Sequence, residues 1–267
     1  MYQNAATLLQ YCQQHNLSLG EAVIRNEMEL TETARPVIIE KLKERYDIMK
    51  KACTQTLQNP IPSISGLTCG QAHLTYQQIN KNSLCGHLQL KAVAYALSCF
   101  EVNASMGKIV AAPTAGACGI LPGCLLAVGE EKNKTEEELL SALATASGIG
   151  RIIAIHATLA GAQGGCQAEC GSAAAMAAGA LVQLQNGTPQ MSFIAAGIAL
   201  ENIMGLVCDP VAGLVEIPCA KRNAGGVANA FLAADMALSG ITNVIPFDEI
   251  VDAMGKVGKA LPKSLKG

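Results

Sequence analysis

Apolar positions along this chain recur every three or four residues over long stretches, and strict apolar–polar alternation is hard to find, a pattern that predicts helices and few strands. The first sixty residues carry two helices' worth of ordinary amphipathic pattern, the second opening at a capping box of Ser18 and Glu21. Ile38, Leu42, Met49, Cys53 and Leu57 then mark the buried stripe of a surface helix, with Lys and Glu on its other face. The segment NPIPSISGLTCG, residues 59–70, breaks all periodicity with two prolines and two glycines, so it reads as a loop and the best internal boundary. Helical pattern resumes from Leu84 to Met106, and again from Thr135 to Gly148 behind a second capping box of Thr135 and Glu138. Helices are expected over Ala168 to Asn186, Gln190 to Val207, Ala220 to Ser239 and Phe247 to Leu261, separated by turns such as Asn186-Gly187-Thr188-Pro189. KIVAAP, residues 108–113, fits a short strand or a buried helix end.

Composition sharpens this picture. Hydrophobic residues make up 50% of the 267, but aromatics are 3% and Trp is absent, so the apolar content is mostly small and suits close helix packing. The expected fold is therefore all-α: a bundle of Ala/Gly-rich helices with binding loops at helix ends, residues 1–60 forming an N-terminal appendage and 61–267 the main domain. A net charge of −2 offers no basic field for nucleic acid, and a small anionic or zwitterionic ligand fits better. The start MYQNAATLLQYCQQHN lacks a charged-then-apolar leader, which points to the cytoplasm. Ile109 to Gly129 is uncharged, yet Pro113, Pro122, Thr114 and its glycines argue against a membrane span. Eleven cysteines in such a chain call for metal binding or plain burial rather than disulfides. Cys12, Cys53, Cys85, Cys99 and Cys124 read as small core hydrophobes.

Three loops gather glycine, proline and cysteine at helix ends. APTAGACGILPG, residues 112–123, could approach an anion with its backbone N–H groups, or could be a tight connector. AGAQGGCQAECG, residues 160–171, brings Cys166 to a helix start where the dipole favours a thiolate. Cys170 lies four residues on and is either a second ligand or a buried neighbour. CDPVAGLVEIPCAKRNAGG, residues 208–226, sets Cys208 and Cys219 beside prolines in a rigid loop. Lys221, Arg222 and Asn223 follow at a helix start, where they would seat a substrate carboxylate or simply face solvent. No short Cys-x-x-Cys pair appears, which argues against structural zinc, whereas three thiolates around an iron–sulfur cluster leave one iron open for chemistry.

The phrases NASMGKIVAAPTAGACGILPG, GGCQAECGSAAAMAAGA and GLVCDPVAGLVEIPCAKRNA, in this order and spacing, resemble the alpha chain of iron–sulfur-dependent L-serine dehydratases, from about Ser65 to Lys263. The resemblance implies a [4Fe-4S] cluster held by Cys166, Cys208 and Cys219, with Cys170 outside the ligand set, which makes residues 61–267 the cluster-binding catalytic domain. It implies an all-helical chain, dehydration and deamination of L-serine to pyruvate and ammonia without pyridoxal phosphate, and a beta subunit that supplies the histidine base, in an oligomer. By position in these phrases, Asn103, Ser105, Thr114, Lys221, Arg222 and Asn223 are the candidate substrate-binding residues. Three departures stand out. None of His15, His73, His87 and His156 lies in the phrases; GLTCGQ stands where many relatives have Gly-Gly-Asp, leaving Cys69 and Gln71 unassigned; and relatives continue past LPKSLKG into a Gly-rich tail.

Two other readings compete. An L-cysteine desulfidase would use the same cluster and expel sulfide, so pyruvate release from serine and from cysteine separates the two. A non-catalytic helical partner protein would stay colourless after reconstitution with iron and sulfide, and a zinc enzyme would carry zinc instead.

Overall fold

The computed structural model describes residues 2–266, which form twelve α-helices, with no β-strand among them. In chain order these are α1 (Ala5–His15), α2 (Leu19–Thr31), α3 (Arg35–Thr54), α4 (Gln71–Gln78), α5 (His87–Ala104), α6 (Ile120–Glu131), α7 (Glu136–His156), α8 (Gly161–Gly164), α9 (Ser172–Leu184), α10 (Pro189–Glu201), α11 (Cys219–Leu238) and α12 (Phe247–Ala260). A five-residue π-helical segment, Gln167–Gly171, runs directly into α9.

Helix α9 is the axis of the bundle, touching α6, α7, α10 and α11. Every residue of it except Gln183 is buried, and its sequence SAAAMAAGALVQL shows how it can be: alanine methyls let neighbours approach on all sides. Burying one methyl contributes only about 0.8 kcal/mol. A core of small side chains must therefore gain from close backbone approach as well as from area. The α5–α6 contact shows this, because a Cβ at Gly119 would lie 2.1 Å from the Ala96 carbonyl oxygen and one at Gly123 would lie 2.6 Å from that of Ala92.

The helix ends are fixed by local chemistry. Ser18 accepts from the Glu21 N–H and Thr188 from the Met191 N–H. At Thr135 both halves of the capping box form, Thr135 Oγ1 accepting from Glu138 N–H while the Glu138 carboxylate accepts from Thr135 N–H. At Ser18 only the first half forms, because Glu21 turns its carboxylate to Arg25 and Arg35 instead. The Asp248 carboxylate on α12 accepts the N–H groups of Ala5 and Ala6, clasping the start of α1.

The all-helical expectation holds, with local corrections. KIVAAP is neither strand nor helix but irregular chain leading to the cis Ala112–Pro113 bond. Helix α7 runs on past Gly148 to His156, because Ile149, Ile152 and Ile153 continue its buried stripe, and α10 stops at Glu201 rather than Val207. Helix α4 arises where no helix was expected, docked on α5 through the fully buried Ala72. Cys12, Cys53, Cys99 and Cys124 are buried, but Cys85 is exposed, since it lies in the turn before α5. The 109–129 stretch is loop and then α6, whose residues Ile120 to Gly129 are all buried. Helix α7 is long and apolar enough to cross a membrane, and 67% of its apolar window is buried inside the structure.

Candidate metal centre

The second and third loops meet at one end of the bundle. Gly165 adopts φ +79° and a Cβ there would lie 2.6 Å from the Leu206 carbonyl oxygen, so only glycine lets the two loops pass this closely. The Gln167 N–H donates to that same carbonyl at 3.1 Å, and Gln167 Oε1 accepts from Gly205 N–H at 2.8 Å. Cys166 is thereby held just before the π-helical segment, a deformation that shifts side chains by one position around the axis and often accompanies functional sites. Cys208 follows at an irregular stretch whose N–H donates to Leu265 at 2.9 Å, and Cys219 opens α11. The loop between them is fastened to the 59–70 segment by the buried Glu216, which accepts from Ser65 Oγ at 2.9 Å and Thr68 Oγ1 at 3.3 Å.

The sulfurs of Cys166, Cys208 and Cys219 share one electrostatic neighbourhood, each raising the cost of ionising the next. Their protonation differs by surroundings. Cys166 is held below the ordinary thiol range, first by the Cys170 thiol, whose sulfur lies 3.4 Å away, and then by the Arg222 guanidinium. Cys170 pays for this by being pushed up, and it is nearly fully buried. Burial is the largest cause raising Cys208, and it pushes Cys219 up to about 12. Among the described residues no three His, Cys, Asp or Glu side chains stand close enough together to hold a single metal ion.

The six polar residues singled out in the sequence fall into different places. Arg222 sits in the centre, donating to the Val207 carbonyl at 3.0 Å and pairing with Asp209 at 2.6 Å beside Cys166. Thr114 reaches it too, through a hydrogen bond donated to the Glu169 carboxylate. Asn223 is fully buried and knits the first loop to the third: its oxygen accepts from Gly119 N–H at 2.9 Å, and its amide donates to the carbonyls of Gly116 at 2.7 Å and Cys219 at 3.0 Å. Asn103 donates to the Ala115 carbonyl and Ser105 to that of Val102. Lys221 points to solvent with no ion-pair partner among the described residues.

Glu169 was missed by the sequence reading, although a signal was there. It is the only Asp, Glu, Lys or Arg between Arg151 and Glu201, set in the middle of the cysteine phrase. Its carboxylate lies over Gly116 and Gly161, where a Cβ would come within 2.7 Å and 3.0 Å of its oxygens, and the Cys208 sulfur lies 3.3 Å from the same point at Gly161.

The sequence profile of the family described as serine dehydratase alpha chain matches residues 14–267. The chain is 45% identical, over all of its own length and 89% of the relative's, to a protein of Bacillus subtilis (strain 168) named probable L-serine dehydratase, alpha chain. It is 44% identical, over all of its length and 91% of the relative's, to the L-serine dehydratase, alpha chain, of Peptoniphilus asaccharolyticus. A protein of Helicobacter pylori (strain ATCC 700392 / 26695) named L-serine dehydratase is 35% identical over 99% of this chain, and the match spans 59% of that protein.

Proposed function

The chain belongs to the serine dehydratase alpha chain family, and from that membership we propose that it is the cluster-bearing subunit of an L-serine dehydratase. In this reading Cys166, Cys208 and Cys219 hold a [4Fe-4S] cluster, and the base comes from a beta subunit. The observation that carries the proposal is that the loops bearing Cys166, Cys208 and Cys219, far apart in sequence, are bonded together at one end of the bundle through Gly165, Gln167 and Arg222. A cluster binds each cysteine through a different iron, so its ligand sulfurs stand farther apart than those around a single ion. Cys166, Cys208 and Cys219 are free thiols, the donor type such a cluster takes. Cys170 is then a positioning group, its thiol hydrogen-bonded to Cys166.

When bound, the cluster supplies a Lewis acid with an open coordination position for the leaving hydroxyl. The chain's own residues set the surroundings. Cys170 and then Arg222 favour the Cys166 thiolate needed for ligation, and Arg222 is itself steadied by Asp209 and the Val207 carbonyl. Asn223 locks the first loop against the start of α11, and Thr114 on that loop bonds the Glu169 carboxylate, which lies beside the Cys208 sulfur at Gly161. Removal of the proton on the α carbon and departure of water leave aminoacrylate, which tautomerises to an imine that water converts to pyruvate and ammonia.

The histidines of this chain support a base supplied from elsewhere. His15 packs on Tyr11, His73 bonds the Leu57 carbonyl and Gln77, His87 faces Glu131, and His156 bonds the Gln3 carbonyl. The test is pyruvate release by the anaerobically reconstituted chain with and without a beta subunit, from L-serine and from L-cysteine. Turnover of serine only when both subunits are present is expected. Strong serine turnover by the chain alone would contradict the division of labour, and preference for cysteine would favour the desulfidase.

A further inference from the structure

We propose that Glu169 receives the ammonium group of the amino-acid substrate, an assignment that rests on the serine dehydratase reading above. A zwitterionic substrate brings one cation, one anion and a hydroxyl to the site. Arg222 is already paired with Asp209, whereas Glu169 has no cation within ion-pair distance among the described residues. Among the described residues the only hydrogen bond to its carboxylate comes from the uncharged Thr114 hydroxyl, which takes up one oxygen, Oε1. The other oxygen, Oε2, lies over Gly161 beside the Cys208 sulfur. A half-buried carboxylate without a countercharge is costly. A cation arriving with the substrate removes that cost and adds a charge-assisted hydrogen bond.

The surroundings give the assignment its geometry. Gly116 and Gly161 have no side chains, and a Cβ there would crowd the Glu169 carboxylate at 2.7 and 3.0 Å, so the two loops leave it room while holding it next to the Cys208 sulfur. Glu169 sits three residues after Cys166 on the π-helical segment, so the same local deformation that places the sulfur places the carboxylate. An ammonium held there brings the amino acid against Cys208 rather than out toward exposed Lys221. Amino acids are thereby selected over hydroxy acids of the same shape.

The experiment compares wild type, Glu169→Gln and Glu169→Asp, each reconstituted anaerobically with the beta subunit and matched for visible cluster absorbance. The readouts are KM and kcat for L-serine, and the inhibition constant of glycerate, which carries a hydroxyl where serine carries its ammonium. For Glu169→Gln the serine KM is expected to rise about ten- to a hundredfold, with kcat changed less and the glycerate constant unchanged. Glu169→Asp should recover part of the loss. Equal weakening of serine and glycerate, or a collapse of kcat at constant KM, would overturn the assignment. Should Glu169→Gln not fold, Thr114→Val removes the hydroxyl that orients the carboxylate. It should raise the serine KM severalfold and leave glycerate alone, and parallel losses would again count against Glu169. Absence of pyruvate formation by wild type would overturn the dehydratase reading itself and this inference with it.

Discussion

Asn223 and Lys221 are two residues apart near the start of α11, and the structure gives them opposite roles. Asn223 to Ala would strand the Gly119 N–H and the Gly116 and Cys219 carbonyls in a fully buried place. A loss of about 3 kcal/mol is expected from that, measured by urea unfolding. Lys221→Ala should stay within about 0.5 kcal/mol of wild type in the same assay. Sequence alone put both residues in one candidate carboxylate seat, because a polar run at a helix start looks alike whether it faces in or out. The direction is set by helix phase: Asn223 lies one turn after Cys219, whose carbonyl it bonds. Glu169 is not legible for the reverse reason, since one charge in a long apolar stretch carries no local pattern that says what it faces. The three cysteines were visible as residues at loop ends, but their convergence depends on loops crossing at Gly165, which no local pattern reports.

At the scale of elements, helices with caps and long apolar stripes were legible, and those made by tertiary docking were not. Helix α4 forms from eight residues with a weak stripe because Ala72 is pressed against α5 and its N–H donates to the buried Glu101 carboxylate at 3.2 Å. The α5–α6 contact gives a direct test of close approach. An exposed mid-helix Gly→Ala change usually stabilises by about 0.5–1 kcal/mol. Gly123→Ala should instead destabilise by about 1–3 kcal/mol, because the new methyl meets the Ala92 carbonyl at 2.6 Å, and backbone cannot step aside. Thermal unfolding of the variant decides the sign. The start of α7 carries a pH signature. Its Glu138 carboxylate is lowered from 4.5 to about 2, first by the Lys134 ammonium and then by the Thr135 N–H. The folded state therefore prefers the ionised form. This contribution is fully present above the ordinary carboxylate value of 4.5 and is lost as pH falls toward 2. Glu138→Gln should flatten that part of the acid limb in a stability–pH profile, and an unchanged limb would show that the capping box is not formed in solution.

Over the whole molecule, the helices fix a rigid floor of small side chains, and the chemistry sits on loops at its edge, where α9 and α11 begin. The first three helices are part of the same core, α2 against α7 and α3 against α5, α6 and α7, so the cysteine loops rest on the packing of the entire chain. Such a floor explains how thiols far apart in sequence can be kept near one another while Cys170 and then Arg222 hold Cys166 below the ordinary thiol range. The most direct test is anaerobic reconstitution with iron and sulfide of wild type, Cys166→Ala, Cys208→Ala, Cys219→Ala and Cys170→Ala, read by visible absorbance, spin resonance and iron content. Wild type and Cys170→Ala are expected to take up a [4Fe-4S] cluster, and each of the other three variants to lose or degrade it. An intact cluster in Cys166→Ala, Cys208→Ala or Cys219→Ala, or no cluster in wild type, would contradict the assignment of these three sulfurs as its ligands.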